Sequence, residues 1–230
     1  MVKEVLILCE DLFGLEAYAI VQESNSYVER ERLQSDTYNI AGFLSLSEDA
    51  GYPFGDIPVD KPVYTSVDQW IEHGKLDLVM GIKRPLSKEE TSKIIHENGG
   101  SFISILTPWT LVPDHYTIGE GCLISNYSFK EGSVFEDFVT MINVMSETSH
   151  VGCFSTIDAL TNVTNAEVGK RVLIGAHSFL MAHLKIGDDS ELYPGSMIFG
   201  NIKPGTKVAG IPANKAMYKR ITGAKTAPVK

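Results

Sequence analysis

The side chains that could carry chemistry near neutral pH are six histidines and three cysteines. Histidine is the usual general base, because its unperturbed pKa of about 6.5 lies near working pH. His177 and His183 are close in sequence and suggest a metal site, but no third ligand with suitable spacing accompanies them. Cys9, Cys122 and Cys153 form no pair with metal-site spacing. We therefore expect no metal and predict that the chemistry rests on a histidine base.

The second half of the chain carries an apolar repeat with a period of six residues. Its members are aliphatic and recur without a slip: Val168, Ile174, Leu180, Ile186, Leu192 and Ile198. Glycine follows three of them directly, as a tight corner or a close approach between coils requires. This period is typical of a parallel β-helix, in which each flat face uses one hexapeptide and three faces close a coil. The alternative, an ordinary β-sandwich, would space its strands by about eight to twelve residues.

The first half alternates apolar strands with amphipathic segments. We predict strands at 5–8, 40–44, 76–82 and 101–106, and helices from 13 to about 28, from 66, and from 88 to 98. Ser66 stands three residues before Gln69, which is the pattern of a helix N-terminal cap. Strand–helix alternation at this spacing predicts a small parallel α/β sheet that ends near Pro108.

Composition limits the classes of partner. The 230 residues include 29 acids against 20 bases, a formal charge of −9. Binding to nucleic-acid phosphates needs clustered Lys and Arg, and the chain has only a short basic tail, so we exclude nucleic acid as a partner. No apolar run approaches the length of about 20 residues that crosses a bilayer. The absence of an export signal and the odd, scattered cysteines predict a cytoplasmic protein without a membrane partner.

Three segments carry the pattern of a known family. Residues 13–16 follow the first strand where that family has a glycine-rich turn, residues 40–43 match its second strand, and Val208–Ala213 matches its closing loop. The chain resembles, over nearly its whole length, the sugar O- and N-acetyltransferases of the sialic-acid O-acetyltransferase and bacillosamine N-acetyltransferase type. The resemblance implies a Rossmann-like α/β domain at residues 1–107 and a left-handed parallel β-helix of hexapeptide repeats at residues 108–230.

The same resemblance implies an activity and an assembly. Members of the family transfer an acetyl group from acetyl-CoA to a sugar and work as trimers. For this chain it implies an acyl-CoA-dependent transferase that acts on an amino or hydroxyl group of a sugar-like acceptor. A homotrimer is expected, because flat solenoid faces expose broad apolar surfaces. The alternative is a hexapeptide-repeat scaffold or regulatory protein that has lost catalysis.

Two countings of the repeat give different candidates for the base. Four whole hexads run from Ile118 to Ile142, which makes Asn143 the family's asparagine and puts His150 at the base position seven residues later. Counting back from Val151 instead puts Glu147 at that position. We favour His150 as the base, with Asn143 helping to position the base or the acceptor. Glu147, Asp137 or an acid from a neighbouring subunit could then orient the imidazole ring.

The resemblance also assigns residues to the CoA thioester. Thr164, next to Asn165, replaces the glycine whose amide would face the thioester carbonyl. The closing loop at Gly210, Ile211, Pro212 and Ala213 is expected to line the pantetheine arm. Lys215, with Lys219 and Arg220, either meets the 3′-phosphate of CoA or belongs to a solvated basic tail.

The chain departs from the family at the first strand-to-helix turn. Cys9-Glu10-Asp11 stands where the family has glycines that let backbone amides approach phosphates. Carboxylates there would repel a diphosphate by about 1 kcal/mol or more for each close pair. We therefore expect a weakened nucleotide pocket and an acceptor without a nucleoside diphosphate.

Overall fold

The chain forms two compact units. A computed structural model describes residues 2–46, 53–55, 57–126, 128–144 and 150–222. One unit comprises Met1–Trp109 with Gly119–Ile124, and the other comprises Thr110–Ile118 with Ser125–Lys230. The boundary after residue 107 stays a prediction. None of the described helices is long and apolar enough to span a membrane.

The N-terminal unit is built on a parallel sheet of four strands in the order β3-β2-β1-β4. Its strands are β1 (Val2–Cys9), β2 (Thr37–Leu44), β3 (Val63–Tyr64) and β4 (Asp77–Gly81), and its helices are α1 (Phe13–Glu31), α2 (Val67–Glu72) and α3 (Pro85–Glu97). The apolar run predicted as a buried strand has no exposed residue from Val5 to Leu8. Ser66 caps α2 as expected, because its hydroxyl accepts a hydrogen bond of 3.2 Å from the amide of Gln69. The predicted α/β region is confirmed.

The strand predicted at 101–106 is wrong in its extent. Phe102 makes only an isolated parallel bridge with Leu78 of β4, and β5 (Ile105–Leu106) pairs instead with Leu123 and Ile124. The hydroxyl of Ser104, which lies between them, donates to the carbonyl of Gly119 at 2.6 Å and accepts from the amide of Cys122 at 3.1 Å. These two bonds hold the chain against segment 119–124 and end its pairing with β4.

The second unit is a stack of short parallel strands. Apart from β7 (Leu123–Asn126), which begins in the first unit, its strands and helix are β6 (Tyr116–Ile118), β8 (Ser133–Phe135), β9 (Thr140–Val144), β10 (His150–Val151), β11 (Thr156–Ile157), β12 (Glu167–Val168), β13 (Leu173–Ile174), β14 (Phe179–Leu180), β15 (Lys185–Ile186), β16 (Glu191–Leu192), β17 (Met197–Ile198), β18 (Lys207–Gly210), β19 (Ala213–Asn214) and α4 (Lys215–Thr222). Sheet 1 contains β6, β8, β10, β12 and β15; sheet 2 contains β9, β11, β13, β16 and β18; sheet 3 contains β14 and β17. Successive hexads therefore visit the three sheets in turn, and one full round is called a coil below.

The strand register shows why the two countings of the repeat disagree. Val151, Val168 and Ile186 pair in sheet 1, and Phe135 pairs with both Ile118 and Val151. The steps from Ile118 to Phe135, Val151, Val168 and Ile186 are 17, 16, 17 and 18 residues. Only the last of these coils has three whole hexads.

The ungapped count to Ile142 is therefore wrong. Met141, not Ile142, pairs with Ile157 in sheet 2 and stands one hexad after Phe135. A residue is already missing from the first coil, between Ile118 and Phe135. Counting whole hexads forward from Ile118 is therefore out of register by one residue in the second coil.

The glycines after the apolar residues are required by close approach between coils. A Cβ on Gly175 would lie 2.6 Å from both the nitrogen and Cδ of Pro194 in the next coil. The left-handed conformations lie instead two residues further on, for example at His177 with φ of 59°. Of the two reasons for glycine given above, close packing is the one that applies here.

Candidate active site

His150 begins β10 and stands on sheet 1 between two neighbouring strands. Its register partners are Val134 in β8 and Glu167 in β12. The next residue, Val151, is fully buried, so the alternation of a strand turns the side chain of His150 away from the core. That side chain is 40% exposed. The backbone of His150 is therefore held in the sheet while its imidazole ring is accessible to solvent, as a proton-transferring group must be.

Glu136 is the acid that contacts this histidine. Its Oε1 lies 3.0 Å from Nε2 of His150, and its Oε2 accepts a hydrogen bond of 3.1 Å from the amide of Cys153. Lys170 places its Nζ 3.7 Å from the same Oε2. Burial alone would raise the pKa of Glu136, but the bonds from Cys153 and His150 and the charge of Lys170 outweigh it and lower that pKa. The carboxylate is thus held ionised beside the imidazole.

Sequence reasoning missed Glu136 and named its neighbour Asp137 instead. The signal is present once the register is known. In sheet 1 the residue after the apolar position is glycine in four coils (Gly119, Gly152, Gly169 and Gly187), and in the second coil it is Glu136. A carboxylate where other coils carry glycine must project from the sheet. Glu147, the other predicted base or orienting acid, lies outside the described residues.

A groove of about 420 Å³ opens beside His150 along sheet 1. Its lining comes from four successive coils: His150, Glu167, Val168, Gly169, Lys185, Ile186, Gly187, Asn201, Ile202, Lys203 and Pro204. Glu167 forms an ion pair of 2.8 Å with Lys185, and the hydrogen bond and charge of Lys185 lower the pKa of Glu167. The imidazole therefore stands at one end of a groove with Glu136 on one side and the Glu167–Lys185 pair on the other.

Asn143 lies on sheet 2, whereas His150 lies on sheet 1. It is an exposed corner residue in β9 of sheet 2, in a left-handed conformation with φ of 47°. Its carbonyl accepts a hydrogen bond of 3.0 Å from the amide of Leu160 in the next coil. The register slip described above removes the counting argument that paired it with His150, and its role stays a prediction.

Thr164 and Asn165 form the corner before β12. The Thr164 amide already donates to Oδ1 of Asn162 at 3.2 Å. Asn165 adopts a left-handed conformation with φ of 52°, and its Oδ1 accepts a bond of 2.9 Å from Lys130. Both residues are bonded within the chain, and their contact with a thioester remains a prediction.

The closing loop is a hairpin between β18 and β19. Gly210 pairs with Ala213 and needs its left-handed φ of 97°, and Ile211 is 70% exposed. Asn214 caps α4 through a bond of 2.9 Å from the amide of Met217, and the exposed Lys215 begins the helix. Pro212 completes the loop. The exposed apolar side chain of Ile211 is typical of a surface that contacts a ligand.

The other histidines have ordinary surroundings. His177 and His183 are exposed corner residues with φ of 59° and 64°. Among the described residues, no group of three or more His, Cys, Asp or Glu side chains could hold a metal ion. His96 pairs with Glu120 at 3.2 Å, and His115, which is 83% exposed, pairs with Glu131 at 2.6 Å. The His115–Glu131 pair lies outside the groove and offers a natural control.

One of the two carboxylates in the turn after β1 has a structural role. Asp11 accepts a hydrogen bond of 2.9 Å from the amide of Phe13 at the start of α1. Glu10 is half-buried with Arg84 at 3.9 Å, and burial raises its pKa. The amides that would otherwise face a phosphate at this helix end are therefore partly used by the chain itself.

Comparison with known proteins agrees with this architecture. No family model matches the chain. The bifunctional protein GlmU of Anaplasma marginale is 27% identical over 118 residues, which cover 44% of this chain and 26% of that protein. The chain thus spans about a quarter of the length of the curated relatives it matches.

Solved structures match much more of the chain. PerB from Caulobacter crescentus, solved with CoA and GDP-perosamine, is 16% identical with a TM-score of 0.69, and the match covers 92% of this chain and 96% of PerB. The acetyltransferase domain of PglB from Neisseria gonorrhoeae FA1090, solved with acetyl coenzyme A, is 16% identical with a TM-score of 0.71, covering 94% of this chain and all of that domain. The chain therefore has, over more than nine-tenths of its length, the fold of these acetyltransferases: an N-terminal α/β region followed by stacked parallel strands.

Proposed function

We propose that the chain transfers an acetyl or other acyl group from a CoA thioester to an amino or hydroxyl group of a sugar-like acceptor, with His150 as the general base. The observation that carries the proposal is the His150–Glu136 pair at the end of a groove, on a chain with the fold of PerB and the PglB domain. PerB binds CoA and GDP-perosamine. Structures of this Caulobacter enzyme with one histidine replaced by alanine or asparagine hold the same two ligands.

The bond to Glu136 sets the tautomer of the imidazole. An ionised carboxylate only accepts hydrogen bonds, so Nε2 carries the proton and Nδ1 keeps its lone pair. Nδ1 then takes the proton of the acceptor's amine or hydroxyl as that nitrogen or oxygen attacks the thioester carbonyl. The tetrahedral intermediate expels the CoA thiolate, and the imidazolium returns the proton to sulfur. Glu136 stabilises the positive ring between these two steps.

The oxyanion needs hydrogen-bond donors that are fixed before the reaction. We keep the Thr164 amide as the candidate oxyanion donor, and the Asn143 side chain as the candidate that positions the base or the acceptor. Thr164 would first have to release Asn162, since its amide is already bonded. The closing loop at Gly210–Ala213 and Lys215 is proposed to contact the donor.

Handedness, assembly and location belong to the same proposal. We infer a left-handed β-helix and a homotrimer from the resemblance in fold. Support for association comes from sheet 3, where Phe179, Met181 and Phe199 are 40%, 46% and 52% exposed. Such an apolar face is typical of a surface that contacts another molecule. A cytoplasmic location also remains a proposal.

The acceptor is proposed to lack a nucleoside diphosphate. Support comes from the turn after β1, where Asp11 occupies the Phe13 amide and Glu10 adds a second carboxylate. This departs from PerB, whose ligand is GDP-perosamine. Titration of UDP, GDP and dTDP into the protein tests the point, and micromolar binding of any of them would contradict it.

A CoA-release assay with acetyl-CoA and a panel of amino sugars tests the activity itself. His150→Ala should lower turnover by about 10²–10⁴-fold, the usual contribution of a general base. His115→Ala is the matched control, because it removes a more exposed histidine from a similar pair. If the His150→Ala variant keeps the turnover of the wild type, the general base would be Glu147 instead. Wild-type protein that neither turns over nor binds CoA would support the scaffold alternative.

A further inference from the structure

Glu136 contacts residues from the next two coils of the solenoid. It follows Phe135 in β8, while Cys153 belongs to the next coil and Lys170 to the coil after that. Its Oε2 accepts the Cys153 amide at 3.1 Å and lies 3.7 Å from Nζ of Lys170, and its Oε1 lies 3.0 Å from Nε2 of His150. The lysine therefore reaches past a whole coil to contact the acid beside the candidate base.

The position of Lys170 depends on a glycine in the intervening coil. Gly152 stands one coil after Glu136 at the equivalent position, directly after the buried residue of sheet 1. A Cβ on Gly152 would lie 2.7 Å from the backbone nitrogen of Lys170, so no side chain fits between them. Glycine at this position therefore lets the backbone of Lys170 lie within reach of the carboxylate.

The backbone of Lys170 is also fixed from the following coil. Its amide donates to Oδ1 of Asp188 at 2.9 Å, and its carbonyl accepts the amide of Asp189 at the same distance. The lysine side chain is 50% exposed, and that of Glu136 is 31% exposed. The ammonium thus extends from a fixed backbone and stays partly hydrated, so it can contact the acid without the large desolvation cost of a buried ion pair.

The imidazole of His150 faces charged groups from both neighbouring strands. On the β8 side Glu136 contacts its Nε2, and on the β12 side Glu167 is its register partner. Glu167 forms an ion pair of 2.8 Å with Lys185, and Glu136 lies 3.7 Å from Lys170. Each of these two carboxylates beside the histidine therefore has its own lysine.

The charge of the orienting acid has two opposed effects on a general base. A carboxylate beside a histidine favours the charged form of the ring, and a nearby cation disfavours it. A general base must start neutral, so an acid that orients it works best when its charge is partly offset. The thiol of Cys153 also contacts Glu136, but burial raises its pKa, so it adds no charge near neutral pH. The Lys170 ammonium is the group that can supply the offset at Glu136.

We propose that Lys170 is a positioning residue of the general base and acts through Glu136. It holds the carboxylate against the imidazole and offsets its charge, so that the resting ring is neutral and able to take the acceptor's proton. The inference rests on the proposed function and adds to it the residue that sets the pH range of the base.

The pH profile of kcat/KM tests this role. In Lys170→Met, which keeps the alkyl stem and loses the ammonium, the acid limb should move up by about 0.5–1 pH unit. On that limb kcat/KM should fall about three- to tenfold, with a much smaller change on the plateau at higher pH. Lys170→Arg should restore the wild-type profile. Lys3→Met is the matched control, because this lysine is 47% exposed and pairs with Asp36 in the N-terminal unit.

An NMR titration of His150 provides a readout that does not depend on turnover. In protein labelled with ¹³C-histidine, the His150 ring signal is the one that is lost in His150→Ala. The midpoint of its chemical-shift titration should rise by about 0.5–1 pH unit in Lys170→Met and stay in place in Lys3→Met. Lys170→Gln gives the same comparison if the methionine variant does not fold.

The outcomes separate the role of Lys170 from the activity itself. A midpoint that does not move, in a protein whose wild type turns over, overturns the role of Lys170 and leaves the transferase. A loss in Lys170→Met that appears as a higher KM at every pH also overturns it, because the lysine would then contact substrate. Wild-type protein without turnover overturns the proposed function and this role together.

Discussion

Glu136 and His150 meet across one turn of the solenoid, with Oε1 and Nε2 3.0 Å apart although the two residues are fourteen positions apart in sequence. The second carboxylate oxygen is fixed by the amide of Cys153, which lies in the same coil as the histidine. The acid is thus tied to the coil that carries its partner, and this fixes the imidazole ring. Orientation of this kind distinguishes a candidate base from a histidine that merely lies on a surface.

Glu136→Gln tests this positioning role. We expect kcat to fall about 10–100-fold with a smaller change in KM, because the amide can bind the ring but supplies no charge to the imidazolium. Glu136→Asp should recover part of the loss. Steady-state kinetics of the three proteins make the comparison, with Glu131→Gln as the control from the exposed His115 pair. Equal kcat in Glu136→Gln and the wild type would refute the role.

The same carboxylate gives a pH dependence of stability. Its pKa is lowered in the folded protein, so its stabilising contribution is complete above its unfolded value and is lost as pH falls through the folded value. The stability difference between wild type and Glu136→Gln should therefore be present at pH 6 and should shrink below pH 4. Urea unfolding at a series of pH values measures it. A difference that stays constant down to pH 3 would mean that the bonds to His150 and Cys153 contribute little.

Arg171 and Asp189 form a bidentate pair between corners of successive coils. Nε and Nη2 of Arg171 donate to the two oxygens of Asp189 at 2.6 and 3.0 Å, and the hydrogen bond lowers the pKa of the acid. Arg171→Ala should destabilise the fold by about 0.5–1 kcal/mol, because Asp189 is half-exposed and solvent screens the pair. The effect should vanish as pH falls through the lowered pKa of Asp189. A double-mutant cycle with Asp189→Asn checks that the loss belongs to the pair.

The repeat and the first half were largely predictable because each depends on local periodicity. The buried run at Val5–Leu8 and the hexads after Val168 need only a burial pattern of fixed period. The positions of Glu136 and Asn143 depend instead on coil lengths of 16, 17 or 18 residues, which the apolar pattern does not reveal before the strands are paired. The end of strand pairing at Ser104 could not be predicted for a similar reason, since its hydroxyl forms a hydrogen bond with a residue fifteen positions later in the sequence.

Gly175→Ala tests the close approach of the coils. Its Cβ would lie 2.6 Å from the ring and nitrogen of Pro194, which are held by the backbone of the next coil and cannot rotate away. We expect a loss of about 1–3 kcal/mol, typical of overpacking. Gly200→Ala is the control, because a Cβ there meets nothing within 4 Å and its φ is not positive. Chemical denaturation compares the two, and equal midpoints would contradict the coil packing described above.

Lys88 on α3 gives the strongest stability prediction in the N-terminal unit. Its side chain is fully buried, and burial lowers its pKa to about 7, which the nearby Lys83 reinforces and Cys122 opposes. Between about pH 7 and the ordinary value of 10.5 the unfolded chain binds a proton that the folded chain does not, so stability rises with pH across this window. Lys88→Met removes the titration while keeping an apolar stem of similar length.

The variant should therefore differ most from the wild type at low pH. We expect Lys88→Met to be the more stable protein at pH 6, with a gap that narrows by at most about 1.4 kcal/mol per pH unit above pH 7. Lys93→Met on the same helix is the control, because that lysine is 76% exposed and its substitution removes a solvated charge rather than a buried one. Guanidinium unfolding at pH 6, 7.5 and 9 measures both. A Lys88→Met gap that does not change with pH would show that the ammonium is solvated or fully compensated in the folded chain.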